Sequence, residues 1–278
     1  MTVNDMDPLA DNPKDIPRLD SDLLNPSPHE DGEIIASFFT TVPKLLTSMT
    51  IDPPSVVPQE EDVYDRKQFW IRLANTPERR EQAGLLVDRM YARQGYKHED
   101  IIQNTPHTIT IVAYGREGQV IGTVTIRMDS PEEGLLADEG YREELDKLRT
   151  NEKKICEFNG LAVDSSVRSK LVIARLFHIA MLYPWGLFGF TDCVIEVTPV
   201  HARFYERMLG FKRLGGERIC PRVNTVGVLL HADFFYVNKR LEEVGGLMEN
   251  AIGDPTLFPY GFSKDDAKGI LGRLQRMI

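Results

Sequence analysis

One stretch of the sequence constrains the fold more than any other, because an apolar run, a polar turn and a second apolar run follow one another directly. Ile155 to Val163 has the sequence ICEFNGLAV and is typical of a buried strand. Asp164 to Lys170 is a polar turn, and the apolar spacing after it predicts a helix to about Tyr183, where Pro184 ends it. A strand, a turn and a helix in this order indicate a sheet covered by helices.

The rest of the chain supplies further elements of the same kind. Thr76 is a good N-cap and Pro77 a good first residue for a helix that ends at Gly95. Two segments rich in β-branched residues, 107–115 and 119–129, flank a turn glycine and predict a hairpin. From residue 105 to 235, the order of strands and helices predicts an α/β sheet flanked by helices. The other predicted elements are a short helix around Tyr141 to Arg149, a strand at 192–198, a helix at 199–210, a strand at 225–234, and tail helices at Val237 to Ile252 and Ser263 to Met277.

The first 60 residues differ from the rest. Pro and Asp recur there with little apolar periodicity, which predicts an extended or flexible arm. The segment Glu33 to Thr50 is the exception, since its apolar side chains are enough to dock on the domain or on a partner. We therefore divide the chain into an arm at 1–60, a core at 61–236 and C-terminal helices at 237–278, and we expect a chain that starts near Gln59 to fold.

The composition argues against several classes of function. The formal net charge of −9 disfavours general binding to nucleic acid or to a membrane surface, because both are anionic. No apolar run reaches the roughly 18 residues that cross a bilayer, so we expect no integral membrane segment and a cytoplasmic protein. Cys156, Cys193 and Cys220 lack the spacing of a disulfide or metal framework and are predicted to be structural thiols in a reducing compartment. The histidines have no metal-ligand spacing either, so we expect no metal site.

Two motifs resemble the GNAT acyltransferase fold. Its acyl-CoA-binding motif is similar to residues 161–176, LAVDSSVRSKLVIARL, and the segment that closes it is similar to residues 201–215, HARFYERMLGFKRLG. The resemblance implies a GNAT-like fold of the α/β (α+β) class, with a mixed central sheet flanked by helices, an extended N-terminal arm and C-terminal helices. In this fold the turn before the helix binds phosphate through backbone N–H groups. Ser169 and Leu171 replace two glycines of the motif, which crowds a diphosphate but leaves room for the single phosphate of phosphopantetheine.

Two further motifs indicate which family of GNAT-fold acyltransferases the chain resembles. Residues 157–163, EFNGLAV, resemble a strand of the acyl-homoserine-lactone synthases, which have this fold and take acyl chains from acyl carrier protein, although Asn159 and Gly160 replace a Ser-Arg pair. Residues 130–141, SPEEGLLADEGY, resemble another of their segments, whereas their N-terminal pattern is missing from residues 60–100. This combination is similar to the N-acyl amino acid synthases of the FeeM type.

The resemblance implies an N-acyltransferase that moves a long acyl chain from acyl carrier protein, or from acyl-CoA, to the amine of an amino acid. Acyl carrier protein is then a partner, an amino acid or another amine is the small-molecule acceptor, and no cofactor is needed beside the thioester co-substrate. Three alternatives stay open. They are an acetyl-CoA-dependent N-acetyltransferase, an acyl-homoserine-lactone synthase, and a non-catalytic acyl-binding or carrier-docking protein on the same fold.

Aminolysis of a thioester needs a base for the ammonium, a donor for the oxyanion and an acid for the leaving thiolate. Glu157 is the candidate base, with a solvent-facing or ion-paired carboxylate as the alternative. Tyr205 resembles the tyrosine that many acetyltransferases aim at the thioester sulfur, with a buried aromatic anchor as the alternative. The oxyanion is expected to meet a backbone N–H where the strand splays from its neighbour, near Leu161, Ala162 and Val163.

Basic and apolar side chains complete the expected site. Arg168 and Lys170 join Ser169 and Leu171 in the predicted phosphopantetheine-binding turn, and Arg175 extends their charge into a positive patch that suits an acidic carrier protein. Arg127 lies on the polar face of its strand, where it either holds the acceptor's carboxylate or is simply solvated. The helix after the turn supplies side chains that either line an acyl tunnel or pack in the core, namely Leu176, Phe177, Ile179, Ala180 and Leu182.

Overall fold

The computed structural model describes residues 34–40, 67–96, 102, 105–165, 167 and 169–278. Within these ranges eight strands form one sheet in the order β1-β2-β3-β4-β5-β6-β8-β7. The strands are Ile34–Thr40 (β1), Lys67–Leu73 (β2), Thr108–Tyr114 (β3), Val120–Met128 (β4), Ile155–Val163 (β5), Asp192–Val197 (β6), Lys212–Cys220 (β7) and Thr225–Asp233 (β8). Neighbouring strands are antiparallel except β5 and β6, which run parallel, so the sheet is mixed as predicted.

In the described part of the chain, six α-helices accompany the sheet. They are Pro77–Arg93 (α1), Asp138–Thr150 (α2), Lys170–Leu182 (α3), Pro199–Leu209 (α4), Phe234–Val244 (α5) and Lys264–Gln275 (α6). The predicted caps are present: Thr76 accepts a hydrogen bond from the Arg79 N–H, and Ser263 accepts one from the Asp266 N–H. After Leu182 the chain continues through one π-helical turn, Tyr183–Leu187, at the point where Pro184 was expected to end the helix.

The helices lie on both faces of the sheet. Buried side chains of α3, α4, α5 and α6 pack with one face of the strands in the main hydrophobic cluster. The opposite face is covered by α1 and α2 through smaller clusters, such as that of Tyr141 and Leu145 with Leu229. Helix α3 is the central element, because every residue from Leu171 to Leu182 is buried. In the described ranges, no helix combines the length and the apolar character that a membrane crossing requires.

Both ends of the described chain contribute to the core. β1 lies within the range predicted as an arm, yet it forms an edge of the sheet, and its Ile35 and Phe38 are buried. Arg273 of α6 donates from Nε to the carbonyl oxygen of Ile35 at 2.7 Å, which ties the C-terminal helix to this strand. A chain that starts near Gln59 lacks β1 and its buried side chains. We therefore no longer expect such a chain to fold. The rest of the predicted arm, residues 1–33 and 41–60, lies outside the described residues.

Candidate active site

Strands β5 and β6 separate in the middle of the sheet. They pair only from Ile155 to Glu157 on β5, opposite Asp192 to Val194 on β6. Both strands continue beyond this point, β5 to Val163 and β6 to Val197, without further pairing between them in the described structure. The β5–β6 gap, defined by these unpaired ends, opens directly after Glu157 and exposes backbone groups of β5 to whatever occupies it.

A bulge on the other edge of β5 lies beside the same gap. Thr123 of β4 pairs with Ala162 and Thr125 pairs with Asn159, so the two residues between them on β5 face only one residue of β4. One of these two, Gly160, has a φ of 56°, a conformation that glycine adopts without strain. The segment predicted to stabilise an oxyanion, residues 161–163, follows the bulge. That role remains a prediction.

Glu157 is buried at the last paired position before the gap, with 1% of its surface exposed. Its Oε2 accepts a hydrogen bond from the Ala137 N–H at 3.1 Å. Burial raises the pKa of Glu157 to about 7; the positive charge of Arg222 and the N–H groups of Ala137 and Leu136 oppose the rise, and the nearby Glu196 carboxylate adds to it. A carboxylate with this pKa can accept a proton at neutral pH and release it again.

An ionic clamp fixes the loop that holds Glu157. The guanidinium of Arg149 binds the carboxylates of Asp129 and Asp138, each with a shortest distance of 2.7 Å, and these two residues flank the loop. Asp138 also accepts a hydrogen bond from the Leu135 N–H. The clamp thereby orients the loop from which Ala137 donates its hydrogen bond to Glu157. It also holds the pKa of Arg149 well above its usual value.

A second charged cluster lies next to Glu157, and sequence reasoning missed it. Glu196 on β6 accepts a hydrogen bond from Arg222 at 2.5 Å, and the thiol of Cys220 contacts the same carboxylate oxygen at 3.3 Å. Gly227 leaves room for this carboxylate, since a Cβ there would lie 2.6 Å from Glu196 Oε1. The sequence signal was available: a glutamate within the buried strand DCVIEV needs a partner.

Polar groups continue along this face of the sheet. Among the described residues, Thr123 Oγ1 and Asn159 Oδ1 are buried without a hydrogen-bond partner. Arg127, the predicted acceptor-binding residue, is buried on the same face, but its Nε donates to the Gly134 carbonyl at 2.8 Å and its Nη2 lies 3.3 Å from the Glu133 carboxylate. The guanidinium therefore holds the loop before α2, and an acceptor carboxylate would have to displace these contacts. The alternative of a solvated arginine is wrong, because Arg127 is only 8% exposed.

Tyr205 lies on the opposite face of the sheet from Glu157. Its ring contacts Phe177, Phe204 and Phe211 edge-on, at centroid distances of 6.0, 5.4 and 5.9 Å. Burial raises the pKa of Tyr205 well above its usual value, and the Tyr91 phenol of α1 raises it further. Tyr205 is thus a buried aromatic anchor whose hydroxyl stays protonated at working pH and can donate a hydrogen bond.

The predicted phosphopantetheine-binding turn joins β5 to α3. Ser169 is the N-cap of α3, but its side chain makes no capping hydrogen bond. The Nζ of Lys170 lies 5.4 Å from the ring centroid of Tyr260. The side chain of Leu171 is buried in the main cluster and does not extend across the turn. Arg168 lies outside the described residues.

Arg175 does not contribute to the expected positive patch, contrary to the prediction. Arg175 is buried, with its guanidinium between the rings of Phe38 and Phe262 at 4.4 and 4.8 Å, because α3 is covered on all sides. Burial lowers the pKa of Arg175 to about 10. Helix α1 supplies the basic side chains instead. Arg89 binds Asp164 at 2.5 Å and Arg93 binds Ser165, so both guanidinium groups lie over the start of the turn.

An apolar cavity lies beyond the gap on the α3 side of the sheet. Phe158, the residue after Glu157, forms part of its wall, and the rest comes from α3, the end of α4, β8, α5 and the segment around Phe258. Its volume is about 30 Å³, enough for a water molecule. Four residues on one face of α3 line it: Ala174, Phe177, His178 and Met181. Of the predicted tunnel residues, only Phe177 is among them, and Leu176, Ile179, Ala180 and Leu182 are core residues.

Comparisons with known proteins identify a family and solved structures to which this chain is similar. A family model described as the N-acyl amino acid synthase FeeM matches residues 82–233. The solved structure of FeeM, an N-acyl amino acid synthase from uncultured soil microbes, is 25% identical, with a TM-score of 0.56, covering 62% of this chain and 93% of that one. A crystal structure of an acyl-CoA N-acyltransferase from Pseudomonas aeruginosa is 12% identical, with a TM-score of 0.43, covering 59% and 97%. No curated protein sequence matches the chain.

The matched range contains the hairpin, the bulged strand with Glu157, the turn, and α4 with Tyr205. It spans more than half of the chain, and the sheet has the mixed, splayed form expected of the GNAT fold. The chain therefore belongs to the family of FeeM N-acyl amino acid synthases and is a GNAT-fold acyltransferase.

Proposed function

We propose that the protein transfers a long acyl chain from the thioester of acyl carrier protein to the amine of an amino acid, giving an N-acyl amino acid. The observation that carries the proposal is the position of Glu157, a buried carboxylate with a pKa of about 7 at the mouth of the β5–β6 gap. The apolar cavity on the other side of the gap is the proposed binding site of the acyl chain.

The first chemical step is the attack of the amine on the thioester carbonyl. A neutral amine is required, so Glu157 takes the proton of the incoming ammonium, directly or through a water molecule. The amine nitrogen bonds to the carbonyl carbon, and the carbonyl oxygen becomes an oxyanion. Backbone N–H groups of β5 near Leu161, Ala162 and Val163 are the proposed donors to this oxygen, because the bulge and the gap free this segment from pairing with β6.

The second step is the loss of the thiolate. The oxyanion re-forms the carbonyl double bond as the carbon–sulfur bond breaks, and the Tyr205 hydroxyl donates its proton to the leaving sulfur. The new amide nitrogen releases its extra proton to water, and water returns a proton to Tyr205, so the step ends with an amide and a free thiol. Tyr205 approaches from the α3 side of the sheet, whereas Glu157 lies on the α1 and α2 side. The amine and the thioester can therefore enter the gap from opposite faces without competing for one entrance.

Basic side chains support the choice of carrier protein as donor. Arg89, Arg93 and Lys170 surround the turn on a chain whose formal net charge is −9, and carrier proteins are acidic. Ser169 stands where a glycine would let a diphosphate approach the backbone. A long chain also requires the wall of the cavity to move, because the enclosed volume of about 30 Å³ is far too small for it.

The proposal is tested by offering the purified protein acyl carrier protein and acyl-CoA thioesters of equal chain length with a mixture of amino acids. Mass spectrometry of the lipid extract identifies the product and the acceptor. We expect N-acyl amino acids, with a higher kcat/KM for the carrier-bound donor than for the CoA donor. Equal efficiency with both donors would remove the carrier protein from the proposal, and a preference for acetyl-CoA would favour an N-acetyltransferase.

Removing the charge of Arg222 should shift the pH dependence of the reaction. This charge lowers the pKa of Glu157, so Arg222→Met raises that pKa above about 7 and leaves less of the carboxylate ionised at neutral pH. We expect activity at pH 7 to fall several-fold and to recover toward pH 9. The measurement is kcat/KM against pH. Arg218→Met is the matched control, because Arg218 pairs with Glu144 and does not act on Glu157.

A further inference from the structure

One polar side chain lies in the otherwise apolar wall of the cavity. His178 is 3% exposed, and the other described residues that line the cavity have aliphatic, aromatic or thioether side chains. It is on the same face of α3 as Ala174, Phe177 and Met181, so its position follows from helical spacing. A core histidine is usually hydrogen-bonded at both nitrogens, which makes its partners informative.

The hydrogen bonds of His178 determine which nitrogen carries the proton. Its Nδ1 accepts a hydrogen bond from the Phe262 N–H at 3.0 Å, so Nδ1 bears no hydrogen. Burial and, to a smaller extent, the charge of Arg175 lower the pKa of His178 to about 3, so the ring is neutral. A neutral imidazole with an unprotonated Nδ1 carries its proton on Nε2.

The Nε2–H of His178 has no acceptor among the described residues. The Nδ1 edge of the ring faces the backbone of Gly261 and Phe262, which leaves the Nε2 edge toward the cavity. A buried donor without an acceptor is unfavourable, and the chain places this one where an acyl group would lie.

We propose, resting on the acyl transfer described above, that the cavity receives an acyl chain bearing an oxygen atom, as a hydroxyl or oxo group, that accepts a hydrogen bond from His178 Nε2. The thioester carbonyl lies in the gap beside Phe158, and His178 contacts the chain further along. The substrate class is therefore hydroxyacyl or oxoacyl thioesters, and His178 selects them against plain acyl chains of the same length.

The test compares a plain acyl group with hydroxyacyl and oxoacyl groups of equal length, with the oxygen placed at different carbons, on one carrier thioester. We expect at least one hydroxyacyl or oxoacyl donor to exceed the plain donor in kcat/KM by about 5-fold to 100-fold, the range for a buried hydrogen-bond donor gaining its partner. In His178→Asn, the side-chain oxygen can still accept from the Phe262 N–H, but nothing replaces Nε2. In that variant, the ratio of kcat/KM for the preferred oxygen-bearing donor to kcat/KM for the plain donor should fall to about one.

A wild-type protein that prefers the plain donor to every hydroxyacyl and oxoacyl donor would overturn the proposal, and this result needs no variant. An unchanged preference in His178→Asn would overturn it as well. If no donor is transferred, acyl transfer itself fails, and calorimetry with free hydroxylated and plain fatty acids tests the cavity separately. Tighter binding of a hydroxylated acid by the wild type, lost in His178→Asn, supports the proposal, and equal binding of both acids contradicts it.

Discussion

Glu157→Gln should lower kcat by about 100-fold to 10,000-fold while leaving donor binding nearly unchanged, because positioned general bases contribute about this much. The glutamine keeps the shape of the side chain and can still accept the hydrogen bond of the Ala137 N–H. In the wild type, kcat/KM should rise with pH through about 7, as Glu157 ionises. In the variant this rise should disappear, and activity should recover only as the amine loses its own proton, at a pH of roughly 9 to 10 for an amino acid.

The same substitution should stabilise the protein at alkaline pH. Below the unperturbed pKa of 4.5, Glu157 is protonated in both the folded and the unfolded state, so its ionisation does not affect stability. Between pH 4.5 and about 7, only the unfolded state ionises, and the folded wild type loses stability as the pH rises. By linkage, the loss reaches about 3 kcal/mol above pH 7, and the glutamine variant does not suffer it.

Urea unfolding at pH 5 and pH 8 measures this difference, with the exposed Glu143→Gln as the control. A variant that is inactive and more stable than the wild type at pH 8 shows that the ionised Glu157 carboxylate destabilises the fold and is required for the reaction. A variant with the wild-type rate at neutral pH removes Glu157 from the mechanism. One that loses donor binding as well shows that the carboxylate is structural.

Phe38→Ala should lower the free energy of unfolding by about 3–5 kcal/mol, the usual range for a buried phenylalanine. Phe38 lies on the edge strand β1, where its ring covers the guanidinium of Arg175 at 4.4 Å and contacts Phe69 at 5.4 Å. Without the ring, a buried charge loses one of the two aromatic faces that stabilise it. Thermal and denaturant unfolding measure the loss, and Phe38→Leu, which retains apolar contact, should lose less.

A double-mutant cycle separates the ring's packing from its contact with the charge. Arg175→Met in the Phe38→Ala background should restore part of the lost stability, because the buried charge is then absent. Strictly additive effects of the two substitutions would contradict the cation–π contact.

Deletion tests the contribution of β1 as a whole. A chain that starts at Glu33 should fold, whereas a chain that starts at Gln59 should fail to fold because it lacks β1.

Local signals predicted most of the fold. The caps Thr76 and Ser263, the hairpin, the strand with Glu157 and the helix with Tyr205 all follow from short-range patterns, and the structure contains each of them. The family followed from the combination of four motifs, all of which lie within the matched range. The burial of Glu157 was left undecided by the sequence, because it depends on Ala137, which reaches it from a loop of another segment.

Strand β7 shows why other parts could not be predicted. Its sequence KRLGGERIC is rich in charges and contains two glycines, which is typical of a loop. Gly215 is required for packing instead: a Cβ there would lie 2.5 Å from the ring of Tyr141. The hydroxyl of Tyr141 then lies 2.9 Å from the carbonyl oxygens of both Gly216 and Gly227, and its single hydrogen is shared between these two acceptors. Gly215 of β7 is therefore explained by Tyr141 on α2, a contact distant in sequence that local sequence rules cannot detect.

Arg175 was misplaced for a related reason. An arginine at the sixth position of a helix after a basic turn is usually solvated. Here Phe38 of β1 and Phe262 of the C-terminal segment enclose the guanidinium. Strands β1 and β2 were likewise not predicted, although Phe69, Ile71 and Leu73 alternate on β2 in the manner of a strand.

The cavity described above is encoded by two separate stretches of chain. The wall next to the chemistry, with Phe158 and Phe177, lies inside the range that the family shares, whereas the far wall, with Val237, Leu241 and Phe258, follows that range. Substitutions in the tail can therefore lengthen, shorten or reshape the cavity while the strand that carries Glu157 stays the same. Within such a family, preference for one acyl group over another can diverge by changes in the tail alone, and exchanging tails between relatives is a direct route to enzymes with new acyl preferences.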